Sequence, residues 1–178
     1  MRRTFIWILM LALPIAAQAS ERYQQASIDA RGRLRIAVAG GGQRLPKKLH
    51  GQTGFDSAAV STDGSRAGWL ALYPNCCTSY PVALALVLYR NGGIRRVFTG
   101  NDLAFSIWHF AANGRQVAFE QETVHGHRGV HYELRDIASG RLLGHYEGDP
   151  AANAPRWVRE LTPLPIAAPD AGAAQYHE

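Results

Sequence analysis

The chain has 178 residues, of which 47% are hydrophobic and 19% charged, and its net charge is +5. Because an average soluble domain has roughly 25% charged residues, this composition excludes a disordered polar chain and supports one hydrophobic core. The length is typical of a single domain. The two cysteines, Cys76 and Cys77, exclude both a multi-disulfide framework and a four-cysteine zinc site.

Residues 1–19 have the order of a secretory signal peptide. Arg2 and Arg3 precede an apolar run over 5–13, and Ala17 and Ala19 provide the small residues that signal peptidase requires. The apolar run is far shorter than the roughly 20 residues that span a bilayer, so it is not expected to remain as an anchor. We therefore predict a soluble periplasmic or secreted protein with no membrane span after cleavage.

The excess of positive charge does not form a concentrated face. Lys and Arg are scattered along the chain, with no basic helix and no aromatic residues interleaved among them. Because nucleic-acid binding requires such a face, no nucleic-acid partner is expected.

Residues 20–160 are expected to form one all-β domain. Short β-rich runs alternate with glycine turns, and no stretch has apolar residues at helical spacing for three turns. Asn91, Gly92 and Gly93 give a strong hairpin signal, since positive φ angles are easy for Asn and Gly. The predicted strands cover 33–38, 66–73, 82–90, 94–99, 104–111, 115–122, 130–136 and 141–147.

Two segments lack a strand pattern. Residues 40–54 begin with three consecutive glycines and are predicted to form a loop. Residues 161–178 are rich in Pro and Ala without periodicity, which predicts a disordered tail.

A turn-and-strand pattern occurs more than once. Residues 60–69 align with 110–119, and in both an Asp-Gly or Asn-Gly turn precedes a strand. The fifth residue after the glycine is aromatic in each copy, Trp69 in the first and Phe119 in the second. A fainter copy runs from 29 to 38, so the domain is expected to contain internal repeats.

The segments 61–64, 117–119 and 136–140 resemble the WD-like β-propeller repeats of periplasmic proteins of the TolB type. The resemblance covers about 55–148 and implies four-stranded blades, but no substrate, because propellers have unrelated functions. Propellers close with about four to eight blades, and this chain has residues for two to three. We therefore expect an antiparallel meander of blade-like four-stranded sheets, as a partial propeller or a sandwich-like stack. Self-association is one way to cover a bare blade face.

Cys76 and Cys77 lie between Pro74 and Pro81, which predicts a loop. Neighbouring Cα atoms are about 3.8 Å apart, whereas an ordinary disulfide has them about 4.4–6.8 Å apart. A bond between these two residues therefore closes a strained, reducible ring. Three interpretations stay open: a vicinal disulfide that acts as a rigid turn, a redox or soft-metal site, and pairing with another chain.

A second group of candidates belongs to the hairpin predicted from 115–122 and 130–136. His125 and His127 lie at its tip, and Glu122 can meet His131 across the strands in one possible register. Imidazole and carboxylate groups are ligands of Zn²⁺ and Cu²⁺, so these four residues form a candidate metal site. The alternative is a solvated face with cross-strand pairs that each contribute a few tenths of a kcal/mol.

No catalytic signature is found. There is no Gly-x-Ser-x-Gly elbow and no phosphate loop, and Ser61 and Asp63 belong to a turn in which such residues cap the backbone. Trp69, Trp108 and Phe119 are expected in the core.

We therefore expect a non-enzymatic binding or interaction module of the cell envelope, with an envelope protein or a second copy as partner. The alternative is a periplasmic protein that binds zinc or copper or responds to thiol redox state through Cys76, Cys77 and the histidine loop. No other cofactor is expected.

Export predicts a defined N-terminus. Protein recovered from a periplasmic extract is expected to begin at Ser20, because the peptidase cleaves after Ala19. The intact mass of the purified protein measures this directly, with protein from the cytoplasmic fraction as the uncleaved control. A periplasmic mass that still includes residues 1–19 would contradict the prediction.

Overall fold

The computed structural model describes residues 20–76, 79–100, 102–124, 129–150 and 153–161. In these ranges the chain forms three antiparallel sheets, which confirms the expected all-β meander. Among these residues, no helical segment has both the length and the apolar character of a membrane span. The predicted signal peptide and residues 162–178 of the predicted tail lie outside the described residues.

In each sheet, strands that are consecutive in the chain are neighbours. Sheet 1 consists of β1 (Tyr23–Ile28), β2 (Leu34–Val38) and β3 (Gln43–Arg44). Sheet 2 consists of β4 (Gly54–Val60), β5 (Ala67–Tyr73), β6 (Val82–Arg90) and β7 (Gly93–Thr99). Sheet 3 consists of β8 (Leu103–Ala111), β9 (Gln116–Thr123), β10 (Val130–Asp136) and β11 (Leu142–Glu147). A short helix, α1 (Arg156–Arg159), follows sheet 3.

The strands that the sequence did not predict are polar or irregular. β2 was predicted, but β1 and β3 were not, because β1 has few apolar residues and β3 is only two exposed residues long. β4 contains a register shift between Asp56 and Ala59, with Ser57 at a φ of 47°, so apolar and polar residues do not alternate along it. The segment 40–54, which was predicted to be a loop, thus contains β3 and the first residue of β4.

Sheet 2 lies between the other two sheets and is apolar on both faces. β5 and β6 are almost continuous apolar runs, which is the pattern of strands buried on both sides. One face, with Trp69, packs against Leu34 and Ile36 of sheet 1. The other face, with Leu88, packs against Phe119 of sheet 3. The predicted core positions of Trp69 and Phe119 are confirmed.

The two ends of the stack are completed in different ways. The outward side chains of sheet 1 include Gln25, Ser27 and Arg35, which are polar and remain in contact with water. The outer face of sheet 3 carries Tyr132, which is buried beneath Val158 of α1. Among the described residues, the polar side chains of sheet 1 and the cover of α1 on sheet 3 therefore leave neither end of the stack with a bare apolar face.

The repeated pattern occupies equivalent places in the three sheets. Each turn glycine joins the first strand of its sheet to the second with a positive φ, 70° at Gly32, 68° at Gly64 and 76° at Gly114. Trp69 and Phe119, five residues after their glycines, both pack toward the preceding sheet. A relation to TolB-type propeller repeats stays a prediction, because no propeller closure is identified.

Sheets 2 and 3 come close together at Gly68. A Cβ atom at this residue would lie 2.7 Å from Cη2 of Trp108 and 2.9 Å from Cδ2 of Leu88. The Trp108 ring is fixed in place, because its indole N–H donates a hydrogen bond to the carbonyl oxygen of Ser57 at 2.8 Å. The missing side chain of Gly68 therefore makes room for Trp108 between the sheets.

Substitution of Gly68 tests this contact. Gly68→Ala is expected to lower the free energy of unfolding by about 1–3 kcal/mol, because the added methyl group overpacks the interface. Denaturant unfolding measures the change. Gly93→Ala is the matched control, since no atom lies within 4 Å of a Cβ at Gly93, and its effect should stay within about 0.5 kcal/mol. Equal losses in the two variants would contradict the proposed contact.

Candidate functional site

A cleft of about 350 Å³ lies between sheets 2 and 3. Phe98 and Thr99 of β7 line it on one side, and Gln121 of β9 with Glu133 and Arg135 of β10 line it on the other. The cleft begins where the apolar core between the two sheets ends, because Phe98 also belongs to that core. Polar groups are thus held against a rigid sheet interface.

The pairing of β9 with β10 decides which side chains enter the cleft. Gln121 is opposite His131, and Glu133 is opposite Phe119. Side chains of paired residues lie on the same face of a sheet, and Phe119 faces sheet 2. His131, Glu133 and Arg135 therefore all face the sheet 2 side, and the residues between them face α1.

Glu133 and Arg135 form a fixed ion pair on the cleft wall. The Arg135 Nε and Nη2 atoms donate to the two carboxylate oxygens at 2.6 and 3.1 Å, and Nη1 donates to the Gly140 carbonyl at 3.0 Å. The guanidinium carbon also lies 5.8 Å from the centre of the Phe98 ring. Since bidentate pairing and ring stacking both restrict a guanidinium, this arginine is preorganised and its charge is balanced locally.

Gln121 supplies a polar group that the described protein atoms leave unsatisfied. The side chain is 5% exposed, and its Nε2 atom has no hydrogen-bond partner among the described residues. A buried donor without a partner costs about 1–3 kcal/mol, and an acceptor on a bound group can recover that free energy. Gln121 therefore favours a ligand that brings an acceptor to this wall.

The backbone of β7 presents a second set of polar groups. The Gly100 N–H donates to the Leu84 carbonyl at 3.3 Å, so alternation along the ladder points the backbone groups of Val97 and Thr99 away from β6. In the described part of the chain, no other strand pairs with this edge. Val97 and Thr99 also line the cleft.

Arg96, next to Val97 of the cleft wall, links the two sheets by hydrogen bonds. Its Nε atom donates to the Ile137 carbonyl at 3.1 Å, and its Nη2 atom donates to the Ala138 carbonyl. These bonds join β7 of sheet 2 to the turn between β10 and β11 of sheet 3.

On the same face of sheet 3, His131, His145 and Glu147 come together. β10 and β11 pair His131 with Glu147 and Glu133 with His145. Glu147 Oε1 lies 3.5 Å from Nδ1 of His131 and 3.5 Å from Nε2 of His145. The two imidazole rings are almost parallel, with their centres 6.3 Å apart.

The sequence-predicted metal ligands are only partly found together. His125 and His127 lie outside the described residues, so their roles stay predictions. The expected meeting of Glu122 with His131 is wrong, because Glu122 pairs with Val130 while His131 pairs with Gln121. A shift of one residue in register places the two side chains on opposite faces of the sheet.

The cysteine predictions also remain untested. Cys76 is exposed in the connection between β5 and β6, and Cys77 lies outside the described residues. Cys76 does not belong to the group formed by His131, His145 and Glu147. The joint cysteine and histidine site proposed from the sequence therefore has no support from the described residues.

Sequence reasoning missed His145, Glu147 and Gln121. The sequence signal for the first two was only the predicted hairpin of β10 and β11. Its turn pairs Arg135 with Leu142, and the register shift between Leu134 and Arg135 is what sets 131 opposite 147 and 133 opposite 145. Gln121 carried no such signal, since its burial depends on the packing of sheet 2 against sheet 3.

Ser61 and Asp63 act as turn residues, as expected. The Ser61 hydroxyl donates to Oδ1 of Asp63 at 2.7 Å, and the Ser65 N–H donates to the same oxygen at 3.0 Å. Burial alone would raise the pKa of Asp63, but these hydrogen bonds outweigh it and lower the pKa. The carboxylate is therefore held ionised by its own turn.

Neither protein-family models nor curated protein sequences match this chain.

His109 is a half-buried histidine away from both sites. It lies opposite Ala118 on the face of sheet 3 that α1 covers. Burial lowers its pKa, and the nearby charge of Glu160 offsets only part of this effect. Its Nε2 atom has no hydrogen-bond partner among the described residues.

This environment predicts a loss of stability in mild acid. In the unfolded chain this histidine takes up a proton at its ordinary pKa of about 6.5, whereas in the folded chain its pKa is lower. The unfolded state therefore binds more protons, and the free energy of unfolding should fall as the pH falls below about 6.5. Denaturant unfolding at several pH values should show a weaker decline for His109→Gln than for the unsubstituted protein. The control is His50→Gln, at an exposed residue. A decline in His109→Gln as steep as that in the control would contradict the assignment.

Proposed function

We propose that the protein is an exported, non-enzymatic binding module of the cell envelope, and that its cleft binds an extended polypeptide segment of another envelope protein. The observation that carries the proposal is the edge of β7 along the cleft wall, with which no strand of the described residues pairs. A signal-peptide pattern and blade-like repeats in the sequence support the envelope setting. The absence of a catalytic motif from the sequence agrees with a binding role.

The backbone geometry favours an extended peptide over a compact ligand. Val97 and Thr99 direct N–H and C=O groups into the opening. An extended segment that lies beside β7 can pair with these groups and add a fifth strand to sheet 2. Main-chain pairing of this kind gives affinity without requiring a particular sequence.

The side chains of the cleft supply selectivity. Gln121 offers to a peptide carbonyl an amide that has no partner among the described residues, and the fixed Glu133–Arg135 pair offers a polar wall without net charge. Exposed apolar side chains are found on two edge strands: Ile94 and Val97 on β7, and Leu142 and Leu143 on β11. We therefore expect a segment that alternates apolar and small polar residues.

Proline substitution of β7 separates backbone pairing from side-chain contact. Val97→Pro removes an outward N–H but leaves the ladder with β6 intact, so it should abolish binding of an added strand. Val97→Ala keeps that N–H and is the matched control, which should retain the partner. A photo-crosslinking residue at Ile94, used in living cells, reports the partner as a covalent adduct of defined mass.

The same crosslinker at Gln25, on the polar face of sheet 1, measures background labelling. The proposal predicts an adduct from residue 94 that persists in Val97→Ala, is lost in Val97→Pro and does not form from residue 25. An adduct of equal yield in both Val97 variants, or no adduct above background, would contradict binding along β7.

A further inference from the structure

We propose that His131, His145 and Glu147 form a surface site for one divalent transition-metal ion, with Zn²⁺ as the ion that the geometry fits best. The site does not depend on the proposed peptide-binding function, because none of its ligands lines the cleft.

The backbone brings the three ligands together. His131 is directly opposite Glu147 across β10 and β11, and His145 precedes Glu147 by two residues on the same strand. Alternation along a strand then places the three side chains on one face. A hydrogen-bonded pair of strands thus sets the ligand spacing, which makes the arrangement more rigid than ligands on a loop.

The distances suit a small coordination shell. The two imidazole nitrogens are each 3.5 Å from Glu147 Oε1, and all three ligand atoms lie within 4.8 Å of one another. Tetrahedral zinc with bonds of about 2.1 Å has its ligands about 3.4 Å apart. Two of the three separations already match, and rotation of one exposed imidazole shortens the third.

The pairs are longer than ordinary hydrogen bonds. An N–H···O bond has a separation of about 2.7–3.2 Å, whereas both nitrogen–oxygen distances to Glu147 are 3.5 Å. The polar atoms face one another at a spacing that an ion can bridge. The convergence of two imidazoles on the same carboxylate oxygen distinguishes the group from an isolated Glu–His pair.

The donor set selects the class of metal. Two imidazoles and one carboxylate are borderline ligands that favour Zn²⁺, Cu²⁺ or Ni²⁺, whereas Ca²⁺ and Mg²⁺ require mostly oxygen. Three protein ligands leave a fourth tetrahedral position for water or for a group from another molecule. The side chains of His145 and Glu147 are 44% and 64% exposed, so an ion reaches them directly from solvent.

Packing on the opposite face holds the ligand strands in place. A Cβ atom at Gly144, next to His145, would lie 3.2 Å from the Trp157 ring, so α1 is seated tightly on β11. Tyr132 and Tyr146, which alternate with the ligands, form an aromatic pair with ring centres 6.0 Å apart. The site thus has a rigid support beneath it.

Zinc titration of the full purified protein tests the site. After treatment with a chelator and its removal, calorimetry with Zn²⁺ at neutral pH should show one ion per chain, and native mass spectrometry should confirm the stoichiometry. His145→Ala and Glu147→Gln should each weaken binding by more than about tenfold, the lower limit of the loss when even an outer-shell partner is removed. Mg²⁺ should not bind.

Two controls make the result specific. His50→Ala removes an exposed histidine elsewhere and should bind zinc like the unsubstituted protein. The double variant His125→Ala, His127→Ala tests the loop site predicted from the sequence and should also retain the ion. Circular dichroism establishes that each variant is folded.

The proposal is overturned if the unsubstituted protein binds no zinc, or if His145→Ala and Glu147→Gln bind it as tightly as His50→Ala does. It is also overturned if only the double variant loses the ion, because the ligands are then His125 and His127.

Discussion

The burial of sheet 2 on both faces is the constraint on which the rest of the structure depends. β5 and β6 carry large apolar side chains on alternating sides, so each face of the sheet must be covered. Sheet 1 covers one face around Trp69, and sheet 3 covers the other around Leu88. The polar outer side of sheet 1 and the cover of α1 on sheet 3 then end the stack. A chain with only three blade-like sheets can therefore bury its apolar faces without closing into a ring.

The same arrangement generates the two candidate sites. Close packing at Gly68 and the bond from Trp108 to Ser57 hold sheets 2 and 3 together on the β4 and β5 side. The sheets leave space near β7, where no further strand of the described chain completes the interface. The cleft is thus a consequence of an open stack. His131, on the same face of β10 as Glu133 and Arg135, remains partly exposed and is therefore accessible to ions.

Much of the fold follows from local patterns in the sequence. Which side chains meet in the candidate sites depends instead on the register in which β10 pairs with β9 and β11. Glycine turns and apolar runs predicted every strand of sheets 2 and 3 except β4. In β4 the irregular backbone at Ser57 interrupts the alternation of apolar and polar residues on which a strand prediction depends. Glu122 and His131 show the limit of this approach, because strand alternation gives two possible faces and only the pairing decides between them. The burial of Gln121 depends on a neighbouring sheet and has no local signature.

Residue-resolved amide hydrogen exchange tests the central claim most directly, because it reports which strands are interior and which edges are open. The account predicts slow exchange at Leu86 and Leu88 in β6, and fast exchange at Val97 and Thr99, whose N–H groups point away from β6. Protection at Val97 and Thr99 equal to that at Leu86 would contradict it, since another strand must then cover β7 and the cleft would not be an open binding edge.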